Sequence, residues 1–349
     1  MRYAVSVDDA AILAAPDDDE PRLAWARAQG GPRAELVEVQ CALARGAREA
    51  GLLEREAELL ASYGAEWAAP VVFGLGAHRW RFVRGFVEHV EITAARLLKR
   101  TPVLAATLVR GLRVTELDGR IGEVLCLPGL HRLRALDLSE NQLTSQDAML
   151  LAEAPLAGLR SLELARNDVD DRGVERLAAA SGPRRLEVLG LAANIVELDG
   201  ARALAASPLP LLEVDLAQHV FAGHESGNVI GPEALAVLST RPWRRLVLSG
   251  NPVDNTGAQL LAAAPLGLEV LEVADAHIGP SGVWALAASP HLTTLRILDL
   301  SANPIGDEGA TALASSPFLA PELELRLGRC DIAAALVERL GGRFARVVS

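Results

Sequence analysis

Nine side chains hold most of the chemical potential of this 349-residue sequence. Four of them, His219, Phe221, His224 and Glu225, crowd into the stretch QHVFAGHESG at 218–227. The other five are acids spaced along the chain: Asp137, Glu163, Asp215, Glu272 and Asp299. His219, His224 and Glu225 are metal-ligating types, but no helical spacing holds them together, so no metal is assigned. The remaining histidines are scattered. The chain has no phosphate-cradling glycine loop, no serine nucleophile elbow, no HExxH, and no carboxylate pair in a pocket-forming context. The expectation is a protein with no catalytic residues and no cofactor. What these nine residues can do is bind.

Composition narrows the partner. Hydrophobic residues make up 50% of the chain but aromatics only 4%, which suits many thin layers built from Leu, Ala and Val. The formal net charge is −11 and no Lys/Arg run exists. Nucleic acid and anionic membrane surfaces are therefore excluded as partners, since both need clustered cations. Cys41, Cys126 and Cys330 are far apart, odd in number and lack metal-ligand spacing, which predicts three buried thiols in a reducing compartment. The acidic start MRYAVSVDDA is unlike a signal peptide, and no run of about 18 apolar residues spans a bilayer. A cytoplasmic monomer is expected.

The elements that position the nine residues recur. The stretch Leu295–Pro317, LRILDLSANPIGDEGATALASSP, reads as a short strand, an Asn bend, a helix and a proline stop. Eight strands share this pattern: RALDLS, RSLELA, EVLGLA, LEVDLA, RRLVLS, EVLEVA, RILDLS and LELRLG. Their bend positions are Asn141, Asn167, Asn194, Asn228, Asn251, Ala276, Asn303 and Cys330, spaced 26, 27, 34, 23, 25, 27 and 27 apart. Two residues past each bend lies an apolar anchor, and eight past each anchor lies leucine, from Leu151 to Leu340. The helical period explains that agreement. One such unit cannot bury both its apolar faces, whereas a stack can.

This frame gives the nine residues their places. The five acids occupy a column running Asp137, Glu163, Gly190, Asp215, Val247, Glu272, Asp299, Arg326. Neighbouring acids in it would repel, and a basic partner would relieve them. The 34-residue spacing comes from Leu216 to Asn228, twelve residues instead of three, an insertion of nine. The inserted loop springs from a strand end, where a rigid scaffold can present binding residues.

Residues before the repeats read differently. Helices are predicted from about Asp8 to Leu13, after Asp17–Asp19 and Pro21, from about Arg33 to Arg45, and from about Glu49 to Ser62. Residues 78–95 predict a capping strand. Gly111–Leu117 is a degenerate opening repeat with Leu117 at the bend position.

The pattern LxxLxLxxNxIgdeGaxaLAxSP resembles the ribonuclease-inhibitor-like class of leucine-rich repeats over Leu133 to Leu340. That resemblance implies an α/β solenoid, or horseshoe, with parallel strands on the concave face and helices on the convex face. Members bind unrelated partners. Near the N-terminus, PDDDEPRLAWARAQGGPRAELVEVQCAL resembles the small helical repeat-companion domain of some large-genome bacteria. Pro16, Asp17, Asp18, Asp19, Pro21, Arg22, Leu23, Trp25, Ala26, Arg33, Glu35 and Gln40 fit its pattern, while its acidic-aromatic core is replaced by RAQGG. Arg22, Glu35 and Gln40 read as a buried polar staple. The expected domains are residues 1–75 (helical), 76–132 (cap and degenerate repeat) and 133–349 (about eight repeats with a C-terminal cap). The leading expectation is a non-enzymatic scaffold holding a protein partner, basic if it meets the acidic column. The alternative is a small-GTPase regulator, resembling repeat-built GTPase-activating proteins, with Arg166 or Arg329 on a bend.

Overall fold

A computed structural model describes residues 7–47, 49–100, 104, 107–218 and 227–349. It divides into two units, 1–138 and 139–349.

The first unit begins with helices α1 (Val7–Ala14), α2 (Glu20–Gln29), α3 (Gly31–Ala44) and α4 (Ala50–Leu75). Helix α4 outruns its predicted end at Ser62 by more than three turns. Leu59, Ala68 and Leu75 are buried along it, and this packing carries the helix through Gly64 and Pro70. Where a single capping strand is predicted, two strands form, β1 (Arg79–Val83) and β2 (Phe86–Thr93), paired antiparallel. Arg84 and Gly85 join them with φ of 49° and 85°, the left-handed pair a two-residue hairpin turn needs. Only glycine fits the second position: a Cβ there would stand 2.1 Å from Val37 Cγ2. Strands β3 (Gly111–Thr115) and β4 (Ala135–Asp137) continue in parallel from β2. Leu117, which follows β3, is buried.

The DDD–PR stretch fastens the helices to these strands, each residue with its own task. Asp17 accepts from Arg110 Nη1 at 2.7 Å and Arg134 Nη2 at 3.0 Å. Asp18 Oδ1 accepts the Glu20 N–H at 3.0 Å. Asp19 pairs with Arg45 at 2.8 Å and Arg84 at 3.2 Å. Arg22 is fully buried, donates to the carbonyls of Pro16 (2.7 Å) and Asp18 (3.0 Å), and ion-pairs with Glu88 of β2. Gln40 accepts the Gly85 N–H of the hairpin turn at 2.6 Å. Trp25 packs edge-on against Phe86 at 5.2 Å, and Arg33 lies over both rings. Glu35 does not join this staple. Its side chain is 41% exposed and pairs with Arg55 on the surface, because α3 turns Ala34, Leu36 and Val37 inward instead.

In the second unit, parallel strands β5 (Ser161–Glu163), β6 (Val188–Gly190), β7 (Glu213–Asp215), β8 (Arg245–Val247), β9 (Val270–Glu272), β10 (Ile297–Asp299), β11 (Glu324–Arg326) and β12 (Arg346–Val348) follow in sequence order. In each strand the middle residue is buried, except in β12, which the sequence reading did not anticipate. Helices connect them and pack on their successors. All eight helix leucines, Leu151, Leu177, Leu204, Leu238, Leu261, Leu286, Leu313 and Leu340, are fully buried. Burial of one such leucine stabilises by about 1.5–3 kcal/mol.

The bend asparagines do more than fold their own bends. Asn194 Nδ2 donates to Leu191 O of its own strand at 3.1 Å and to Leu164 O of the preceding one at 2.8 Å. Its Oδ1 accepts the Val169 N–H of the preceding repeat at 3.0 Å. Asn228, Asn251 and Asn303 repeat this pattern. A buried backbone that leaves the strand ladder is thus satisfied from the next layer.

Two bends show what happens without the asparagine. Before Ala276 the anchor Val253 N–H turns back to Asn251 O at 2.8 Å, and Asp254, at φ 55°, donates to Ala276 O at 3.0 Å. Before Cys330 the detour recurs: Ile305 N–H donates to Asn303 O at 2.8 Å, and Gly306, at φ 55°, donates to Cys330 O at 3.2 Å. The Cys330 thiol replaces only the donor half, reaching Leu300 O at 3.2 Å. It is buried, as is Cys41, but Cys126 is exposed, against the expectation of three buried thiols. The short turn that carries Cys126 covers Val124 and Leu125 and leaves its third residue outside.

Candidate functional site

Strand alternation sets the geometry. With the middle residue of each strand inward, the first and third residues share the opposite face. The third positions, Glu163, Gly190, Asp215, Val247, Glu272, Asp299 and Arg326, stand side by side in register. The predicted column therefore forms, and Glu272 and Asp299 are cross-strand neighbours as expected.

Their repulsion, however, is relieved within the chain. Arg326 lies 3.7 Å from Asp299 and 4.0 Å from Glu272, and its Nε donates to Glu324 at 2.8 Å. Hydrogen bonding to Glu324 raises its pKa; burial opposes this, and the charges of Glu324, Glu272 and Asp299 add to it. Arg245 donates to Glu272 from the other side at 2.8 Å. Sequence reasoning missed Arg245. Its signal was present, since a residue two before Val247 in a strand must share the face of Val247.

The other acids have different surroundings. Asp215 Oδ1 accepts the Ala217 N–H at 2.9 Å, a bond that fixes the strand end. Glu163 leans over Gly190, where a Cβ would stand 1.7 Å from its Oε2, so the missing side chain gives it room. Alongside these acids, Ala192, Ala217 and Val247 form a buried apolar cluster with Ala165 packed against it. Asp137 belongs to the first unit, where Arg113 donates to it at 3.2 Å.

His219, Phe221, His224 and Glu225 lie outside the described residues. Their flanks are described. Gln218 N–H donates to Ser249 O at 2.8 Å, and Asn228 is fully buried with its Nδ2 on Leu216 O at 3.1 Å. That bond matches the 3.1 Å Asn194–Leu191 bond of an uninterrupted copy, so the insertion leaves the ladder intact. Among the described residues no group of three His, Cys, Asp or Glu is placed to hold a metal, and no helix is long and apolar enough to cross a membrane. Arg166 sits at a bend with φ 58° and reaches Glu140 at 3.2 Å, while Arg329 has φ 59°.

Strand, asparagine bend and leucine-bearing helix, stacked in parallel copies, decide the class. The chain carries leucine-rich repeats. Residues 130–152, 159–178 and 291–314 match the Leucine Rich repeat family. Human podocan-like protein 1 is 34% identical over 190 residues, covering 54% of this chain; the chain spans about a third of that relative's length. Among solved structures, an internalin from Listeria monocytogenes superposes with a TM-score of 0.43 at 16% identity, over 72% of this chain and 74% of the internalin. The Rad7–Elc1 complex of yeast gives 0.43 at 17% identity, over 68% of this chain and 69% of the other.

Proposed function

We propose that this leucine-rich-repeat chain is a non-enzymatic scaffold that holds a protein partner on the strand face of its second unit. The observation that carries the reading is the in-register column of Glu163, Asp215, Glu272, Asp299 and Arg326 on the strand face opposite the buried middle residues, with Ala192, Ala217 and Val247 packed beneath and beside it in the repeats between those of Glu163 and Glu272. Charges held in fixed order along one face are the arrangement interfaces use for register and orientation. The insertion follows Gln218 in the chain, and its His219, Phe221, His224 and Glu225 are the further contacts of this reading. Arg245 and Arg326 already answer Glu272 and Asp299, and Glu163 and Asp215 are the acids of the column on the side of the insertion. The reading includes the ribonuclease-inhibitor-like subclass of repeats, a companion-type helical domain at the N-terminus, and a monomer in the cytoplasm.

Deleting residues 219–227 tests it. The deletion restores the three-residue Leu-to-Asn spacing and should shift stability by only about 1.2 kcal/mol, since closure depends weakly on loop length and twelve residues to three is two halvings. A partner captured and identified with the full chain should be lost from the deletion and weakened by Phe221→Ala and by Glu163→Gln with Asp215→Asn. Equal affinity for all three variants would remove the strand face and its loop from the function.

A further inference from the structure

The sheet of the first unit carries a separate hollow of about 250 Å³, lined by Arg79, Arg81, His89, Glu91, Arg113 and Asp137, with Trp80 beside them. It lies on strands β1 to β4 of that unit alone and has no part in the reading above. Gly111 shapes its floor. A Cβ at that position would stand 1.9 Å from His89 Nδ1, so the glycine makes room for the imidazole against β3.

The charges in the hollow are unusual for this chain, which totals −11. Three guanidiniums face two carboxylates. Arg79 stands 3.6 Å from Glu91, which His78 also reaches at 2.9 Å, and Arg113 reaches Asp137 at 3.2 Å. Arg81 is exposed and forms no ion pair with a carboxylate among the described residues. Burial, followed by the charge of Arg81, pushes the His89 pKa down to about 4, so at neutral pH the ring is uncharged and offers one N–H and one acceptor. Arg81 is thus the cation of the hollow available to an incoming group. Small-molecule sites usually enclose most of their ligand in about 300–1,000 Å³. A smaller, open hollow on a sheet face suits one projecting side chain instead.

We propose that this hollow seats a single carboxylate, presented by an acidic side chain of a protein partner, between Arg81, Arg79 and Arg113 and above His89. Guanidinium forks match a planar carboxylate, and the two resident acids make a doubly charged phosphate the poorer guest.

The probe is a fluorescein-labelled octapeptide with two central glutamates, titrated against the full chain by anisotropy. Saturable binding is expected. It should fall about tenfold in Arg81→Gln, an exposed change that leaves the melting curve in place, and should weaken as salt rises. The His89 ring signals should move in a long-range ¹H–¹⁵N spectrum as the peptide saturates. The control Arg202→Gln, an exposed arginine beside Asp199 outside the hollow, should bind like the parent. No saturation, equal binding of the glutamine-substituted peptide, equal loss in Arg202→Gln, or an unmoved His89 would each overturn the assignment. Displacement of the peptide by inorganic phosphate at lower concentration than by acetate would overturn the carboxylate specifically.

Discussion

The two units solve one problem, a buried polar backbone, in opposite ways. In the second unit neutral asparagines do the work, each serving its own bend and the one before it. In the first, a charged side chain does it: Arg22 donates to two carbonyls while pairing with Glu88. A neutral amide carries one acceptor and one donor pair into the interior without the cost of desolvating an ion. It can therefore be copied in every layer. A buried ion pair depends on one partner at one place, so it appears once and ties together particular elements. The repeat unit should fail gradually under substitution, and the ionic staple should fail abruptly.

The largest effect should come from Arg22→Met. Glu88 would then be buried without its partner, a loss of about 3–5 kcal/mol at neutral pH by urea titration. Burial already raises the Glu88 pKa, with Arg22 opposing. Without Arg22 it rises further, so the folded state takes up a proton that the unfolded state lacks, and the deficit should shrink as pH falls towards the ordinary carboxylate range. Adding Glu88→Met should recover most of the loss. A double variant as weak as the single one would show that shape, and not charge, decides this staple.

Leu313→Ala should lose about 2–5 kcal/mol, since the side chain is fully buried between layers. A loss under about 1 kcal/mol would mean that neighbouring layers close over the gap and that the stack is softer than its burial implies.

Asn194→Ala sharpens the comparison from the neutral side. It orphans the Val169 N–H and leaves the Leu164 carbonyl with only its Asn167 donor, and should lose about 1–3 kcal/mol unless the bend adopts the detour seen before Ala276 and Cys330. The reverse change, Ala276→Asn, meets a bend already satisfied by that detour and should gain less than Asn194→Ala loses. Equal and opposite changes in the two denaturation curves would rule out the detour as compensation.

The smallest effect belongs to Asp17. Burial would raise its pKa, but hydrogen bonds and charge from Arg110 and Arg134 outweigh this and hold it at about 2. The folded-state value is depressed, so its stabilisation is present above about pH 4 and is lost as pH falls towards 2. The side chain is 64% exposed, which screens the effect to below about 1 kcal/mol. Asp17→Asn should flatten the acid limb of the pH–stability curve in that window. An unchanged limb would assign the acid loss to other carboxylates.

The sequence by itself determined the repeat: its register, its bends, its helix leucines and the column of acids on one strand face. Each copy restates the same period, so eight weak local signals add to a strong one, and even the nine-residue insertion shows as a break in spacing. Tertiary structure alone decided the partners across distance. Arg22 finds Glu88 66 residues away, and Asp17 finds Arg110 and Arg134 at 93 and 117. The hairpin around Gly85 and the hollow over Gly111 are of the same kind. No period announces such contacts, because each is made once, between side chains that the fold brings together and the chain order keeps apart.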